Sequence, residues 1–204
     1  MLILLILGMS CRKKLNNSLL TKEAPPVFHA VFETSKGDIT IRATRAWSPM
    51  AVDRLYQLIK SQYYTNLPIY RVEPGYVAQF GVHTDSTVQQ FWESHTLLDE
   101  PVKSPNRKGT LAFARSGPHS RSTILFFNLQ DNNPRLDTLH WNGVTGFPVI
   151  AEITEGLEVI SRFNDQYGGA PFSIIDSIQY KGLDYLNKKY PGLDYIENAK
   201  ILKN

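Results

Sequence analysis

Cysteine is almost missing from this chain: Cys11 is the only one in 204 residues. A lone thiol excludes an internal disulfide and any CxxC metal or redox pattern, so the fold is held by its core. No thiol nucleophile is available beyond the N-terminal stretch. Charge of one sign is also lacking, since Lys+Arg 22 against Asp+Glu 19 leaves +3. That excess is too slight to hold a polyanion by charge alone, and no nucleic-acid partner is expected. The chain contains no GxSxG, P-loop, GxGxxG or HExxH. Its histidines, His29, His83, His95, His119 and His140, show no paired metal spacing. What is present is ordinary for one globular domain: 42% hydrophobic and 20% charged residues.

A single long apolar run, MLILLILGM, opens the chain. It falls well short of the roughly 20 residues that cross a bilayer as a helix and reads as the apolar part of a signal segment. Gly8, Met9 and Ser10 stand directly before Cys11, and this cluster resembles a bacterial lipobox, with Gly8 where leucine is usual and no basic residue ahead of the run. The expectation is cleavage before Cys11, lipidation of Cys11 and a lipoprotein anchored to a membrane of the cell envelope, facing the periplasm. Several acyl chains anchor stably without a spanning helix. The alternative is that residues 1–11 dock on the domain as an apolar tail. Arg12, Lys13 and Lys14 suit an anionic headgroup surface. Residues 12–26, ending in Pro25-Pro26, read as a tether.

The remainder, 27–204, reads as one strand-rich domain. Phe28, Ala30 and Phe32 alternate, and after Ser35-Lys36-Gly37-Asp38 so do Ile39, Ile41 and Ala43; this is a β-hairpin. Ser48-Pro49 starts a helix with a capping hydroxyl and proline at the first position, and Val52, Leu55, Tyr56 and Ile59 follow at helical spacing. Further strands are predicted at 68–72, 76–80, 110–114, 125–129 and 149–153, a short helix at 155–163, and a helical pattern from Ile175 to Leu186 stopped by Pro191-Gly192. A last strand at 195–202 closes the sheet. The pattern is that of a barrel or sandwich.

Four segments, VFETSKGDITI, SPMAVDRLYQLIKSQYYTNLPIYRVEPGYVAQFG, GTLAFARSGPHSRSTILFFNLQDN and ITEGLEVI, together resemble in order and spacing the cyclophilin-type peptidyl-prolyl isomerases. The likeness spans 27–163, and 173–204 is similar to the C-terminal extension of some bacterial members. It implies a closed eight-stranded antiparallel β-barrel capped by helices, with a proline-binding groove on its outer face. Carried over by position, Arg71 matches the catalytic arginine, Tyr76 an aromatic wall of the proline pocket and Gln79 a side chain bonding the substrate backbone. Phe113, Ala114, Arg115, Phe127 and Leu136 line the groove. Leu125 stands where a glutamine is usual, Phe147 near a groove histidine and Arg135 near a tryptophan. These departures remove polar substrate contacts and spare Arg71.

The chemistry accounts for the residue types. Twisting an X–Pro bond destroys amide resonance, a barrier of about 18–20 kcal/mol, although cis and trans differ by only about 0.5–1 kcal/mol. In the twisted state the prolyl nitrogen regains a lone pair. A fixed guanidinium then donates a hydrogen bond that is stronger in the transition state than in the planar ground state. An apolar cup holds the ring and excludes water. No cofactor or metal is implied. The expected partners are proline-containing segments of exported polypeptides and a membrane reached through the lipid anchor, and the protein is expected to act as a monomer. The alternative is a barrel that binds proline segments as a chaperone with little isomerase activity; a purely structural envelope protein would leave Arg71 and Gln79 unexplained.

Overall fold

A computed structural model describes residues 17–203. Cys11 and the apolar run lie outside the described residues. Strands β1 (Val27–Thr34) and β2 (Gly37–Thr44) form the hairpin in register from Val27↔Thr44 to Thr34↔Gly37. Gly37 takes φ +121°, which the tight reversal requires and side-chain-bearing residues rarely adopt. The other staves are β3 (Leu67–Val72), β4 (Val77–Phe80), β5 (Thr110–Phe113), β6 (Leu125–Asn128), β9 (Val149–Glu155) and β10 (Asp194–Ile201). They close in the order β1-β10-β3-β4-β6-β5-β9-β2, an eight-stranded antiparallel barrel. A separate two-stranded ribbon, β7 (His140–Trp141) and β8 (Val144–Thr145), stands outside it. The C-terminal strand is thus a stave, bonded on one side to β1 and on the other to β3.

Alternation sends one face of each stave into the barrel. Phe28, Ala30, Phe32, Ile39, Ile41, Ala78, Phe80, Leu111 and Ile196 meet there in one buried cluster. In β3 the alternation breaks: Ile69 pairs with Phe80 and Val72 with Ala78, so the stretch between the inward pair has one more residue on β3 than on β4. Such a bulge re-aims side chains. Here it turns both Tyr70 and Arg71 outward and sets Arg71 opposite Gln79.

Helix α1 (Pro49–Lys60) lays Ala51, Val52, Leu55, Leu58 and Ile59 against the barrel core. Its capping differs from the expectation, because the Ser48 hydroxyl bonds no helix N–H. Glu100, from a loop, caps instead: its carboxylate accepts from Met50 N (2.9 Å) and Ala51 N (3.2 Å) and from the Ser48 hydroxyl. The buried Arg121 guanidinium pairs with that carboxylate at 3.2 Å. An anion at a helix N-terminus satisfies orphan N–H groups and complements the dipole. The expected tether is also shortened. Leu19 and Ala24 join the core cluster, Gln57 Nε2 donates to the carbonyls of Leu20 (3.0 Å) and Lys22 (2.8 Å), and Ala24 N donates to Asp53.

Helix α2 (Ser86–Glu93), unforeseen inside a polar connection, is capped by Asp85 and buries Trp92. A single turn, α3 (Arg135–Thr138), precedes the ribbon. The expected helix over 155–163 reduces to a 3-10 turn at Val159–Arg162, because β9 runs on to Glu155. Near the C-terminus a 3-10 segment, Ala170–Ser177, leads into α4 (Ile178–Lys189), kinked at Gly182 with φ 74°. Removing the carboxylate in Glu100→Ala strands the buried Arg121 charge and the α1 terminus together. A loss of about 3 kcal/mol in urea unfolding is expected, with an unchanged m-value.

Candidate active site

Pairing across four strands builds one outward row. Arg71 of β3 faces Gln79 of β4, Gln79 faces Phe126 of β6, and Phe126 faces Ala112 of β5. With strands about 4.8 Å apart, the row carries a cation to an apolar surface roughly 10 Å away. That surface is a cluster of Val77, Ala112, Phe126 and Leu136, with Tyr76, Ala114 and Phe147 packed at its rim. Phe147 meets Phe126 edge to face with centroids 5.7 Å apart. The result is an apolar cluster on the outer side of the barrel, its central residues buried and its half-buried rim of Tyr76, Ala114 and Phe147 reaching the surface, with a guanidinium at one end.

Arg71 is held on several sides. Its Nε donates to Glu73 Oε1 at 2.9 Å and its Nη1 to Gln79 Oε1 at 3.1 Å. Gln79 Nε2 in turn donates to the Tyr70 hydroxyl at 3.1 Å, and both Gln79 and Tyr70 are buried. Burial pushes the Tyr70 phenol well above its ordinary range, so it stays a neutral partner. The Arg71 guanidinium lies 5.6 Å from the Tyr76 ring centroid and 6.0 Å from that of Phe172. Among the described residues Nη2 makes no hydrogen bond, which leaves one edge of a rigidly oriented donor for a ligand. Behind the arginine, Gly168 O accepts from Val72 N at 3.1 Å. A Cβ on the neighbouring Gly169 would lie 2.9 Å from Glu73 Oε1.

Of the residues expected from sequence, Arg71, Tyr76, Gln79, Ala114, Leu136 and Phe147 come together here, with Arg115 alongside: its guanidinium lies 4.8 Å from the Phe147 ring centroid. Phe113, Leu125 and Phe127 do not. All three are buried inside the barrel, Phe127 stacked on Phe80 at 5.5 Å and edge-on to Phe32 at 6.1 Å. The correction is one residue of register: the outward neighbours Ala112 and Phe126 join the outer cluster instead, because successive strand residues face opposite ways. Gln79 spends its amide on Arg71 and Tyr70, which makes it a positioning residue for the guanidinium as well as a groove polar group.

Sequence reading also missed a buried chain of asparagines beneath the groove. Asn132 Nδ2 donates to Tyr76 O (2.8 Å) and to Asn128 Oδ1 (2.7 Å), and Asn128 Nδ2 donates to Asn106 Oδ1 (3.1 Å). Asn106 Nδ2 reaches Phe147 O (2.9 Å) and Asp137 Oδ1 (2.8 Å). These bonds tie together the loops bearing Tyr76, Leu136 and Phe147. Phe172, exposed and stacked on Tyr70 at 6.1 Å, was equally unforeseen. Among the described residues no group of His, Cys, Asp and Glu is arranged to hold a metal ion, and no helix is long and apolar enough to cross a membrane.

Comparison with known proteins agrees with this geometry. The family model for cyclophilin type peptidyl-prolyl cis-trans isomerases matches residues 29–176. Peptidyl-prolyl cis-trans isomerase B of Escherichia coli is 30% identical over 142 residues, covering 64% of this chain and 80% of that protein. A relative from Arabidopsis thaliana bearing the same enzyme name is 26% identical over 169 residues, covering 79% of this chain and 72% of the relative. In fold, the chain is similar to a cyclophilin type isomerase from Cryptosporidium parvum, with a TM-score of 0.57 at 16% identity, covering 87% of this chain and 99% of the other. A second structure of that protein, in the presence of the dipeptide Ala-Pro, matches at 0.56 and 16%, over 86% of this chain and 99% of the other. The closed barrel, the outward arginine row and a family match over most of the chain place this protein in the cyclophilin-type peptidyl-prolyl cis-trans isomerase family.

Proposed function

We propose that the groove rotates X–Pro bonds by donating a hydrogen bond from Arg71 Nη2 to the prolyl nitrogen as it loses amide conjugation. The observation that carries this is the fixation of Arg71 by Glu73 and Gln79 with one edge left free. A donor already oriented before the substrate twists has no reorganisation to undergo in the transition state. The pyrrolidine ring is placed against Tyr76, Ala114 and Phe147, with the buried Val77, Phe126 and Leu136 beneath them, which excludes water from the bond Arg71 makes. One matching structure was obtained in the presence of the dipeptide Ala-Pro, the smallest molecule that contains an X–Pro bond. No covalent step and no proton transfer is needed, because product and substrate differ only by rotation.

The setting follows from the N-terminal sequence: a lipid on Cys11 would hold the enzyme at a membrane of the cell envelope, on the periplasmic side, where exported chains fold. Support for this lies in the apolar run before Cys11 and the basic residues Arg12, Lys13 and Lys14 after it. Labelled palmitate is expected to enter the wild-type protein and not Cys11→Ser, which would move to the soluble fraction. Unaltered fractionation of the variant would remove the anchor from this reading.

Two-dimensional exchange NMR on a short X–Pro peptide tests the catalytic claim. Arg71→Ala is expected to lower kcat/KM about a hundredfold or more with an unchanged circular dichroism spectrum. Broadened peptide signals with no faster exchange in the wild type would instead establish a proline-segment binder. The two adjacent phenylalanines separate site from core. Phe127→Ala is expected to lose about 3–5 kcal/mol of stability, whereas Phe126→Leu raises KM and leaves a melting temperature near that of the wild type.

A further inference from the structure

Two more guanidinium groups border the groove. Arg115 follows Ala114 just beyond β5 and lies over Phe147, at 4.8 Å from the ring centroid. Arg135 opens α3 next to Leu136 and lies over Tyr76 at 4.6 Å, so that this ring touches both Arg135 and Arg71. Both groups therefore rest on the rim of the same apolar patch, one at Phe147 and one at Tyr76. An aromatic face fixes the plane of a guanidinium and leaves its N–H edge available to an anion.

Four other guanidiniums pair with carboxylates, Arg42 with Glu152, Arg45 with Asp53, Arg71 with Glu73 and Arg121 with Glu100, while Arg54 and Arg162 donate to backbone carbonyls and Arg107, away from the groove, has no carboxylate partner among the described residues. Among the described residues no carboxylate reaches ion-pair distance of Arg115 or Arg135. Nearby acids are engaged elsewhere: Asp137 accepts from the backbone and side-chain nitrogens of Asn106, and Asp99 from His119 N. The Nε of Arg115 is buried and without a hydrogen-bond partner among the described residues. Burial pulls the Arg115 pKa down; Asp99 opposes this from a distance and Arg121 adds to it. The charge has lost part of its water while the nearest carboxylate, Asp99, stays beyond ion-pair distance.

We infer that Arg115 and Arg135 make the groove selective for proline segments with an acidic residue beside the proline, the client carboxylate serving as the missing counter-ion. This rests on the reading of the groove as an X–Pro site. Charge-assisted bonds to a guanidinium fork are the strong class of hydrogen bond, and a lysine in the same place meets like charge. The preference falls with salt because the mouth of the groove is solvated; Arg135 itself is exposed.

The test uses the full chain and end-blocked tetrapeptides Ala-Xaa-Pro-Phe and Ala-Ala-Pro-Xaa with Xaa as Glu, Gln or Lys, measuring exchange and line broadening in the same samples. In at least one series the Glu peptide is expected to exceed its Gln counterpart in kcat/KM by about threefold or more at low salt, with Lys below both. The Glu/Gln ratio then falls to near one in Arg115→Gln/Arg135→Gln, and Arg135→Gln alone serves if the double variant melts early. Equal values for Glu and Gln in both series, or a ratio unchanged in the variants, overturn the acidic preference while leaving the isomerase reading intact. If no peptide exchanges faster, that reading fails, and the Glu/Gln ratio in line broadening still decides the preference.

Discussion

Between the inward pairs Ile69↔Phe80 and Val72↔Ala78, β3 carries one residue more than β4, and that residue turns Arg71 out of the barrel. Strict alternation from Ile69 would bury the guanidinium among Phe32, Phe80 and Phe127, where an unpaired charge costs many kcal/mol. With the bulge, the inward residues of β3 and β4, Ile69, Val72, Ala78 and Phe80, are all apolar and the cation joins Gln79, Phe126 and Ala112 on the outside. The barrel core and the active site are thus two faces of the same strands. Their separation depends on backbone geometry that neither face supplies alone.

The outer face is divided at Arg71. On one side Tyr70, Val82, Ile175, Ile178, Leu186 and Leu193 pack together, so the C-terminal segment covers that part of the sheet. On the other, Val77, Ala112, Phe126 and Leu136 are buried beneath Tyr76, Ala114 and Phe147, in a cluster that includes no residue of the C-terminal segment. The C-terminal segment therefore does more than close the barrel through β10. The loop that leads into it bonds β3 next to the arginine through the Gly168 carbonyl, Gly169 leaves room for Glu73, and Phe172 stacks on Tyr70. The boundary of that cover sets where the groove begins.

Much of this is legible in the sequence, and the gaps have physical causes. The hairpin and α1 announce themselves because one face of each is polar, so apolar residues recur at period two or near 3.6. The segments TLAF and LFFN are buried on both faces. An unbroken apolar run does not say which residue points in, so nothing in it corrects the family resemblance, which assigns Phe113 and Phe127 to the groove where the structure turns Ala112 and Phe126 outward. Glu100 as the cap of α1 is about fifty residues away in sequence, beyond any local signal. Asp85, two residues before Thr87 and followed by Val88, Phe91 and Trp92, is a readable start for α2 inside a stretch that otherwise reads as loop.

The inward position of Leu125 changes what the departures from the family pattern imply. Judged by sequence, a leucine in place of glutamine deprives the substrate of a polar partner. In the structure this side chain lies in the barrel core, fully buried, where a glutamine amide would find no water. Leucine at this position therefore says nothing against catalysis. The polar character of the groove comes instead from its rim, where Arg71, Arg115 and Arg135 rest against Tyr76 and Phe147, and of these three only Arg71 is ion-paired among the described residues. Aromatic rings satisfy the flat faces of these cations and leave their edges unsatisfied. A substrate that supplies only an apolar ring fills the floor of this groove, while one that also supplies a carboxylate completes it.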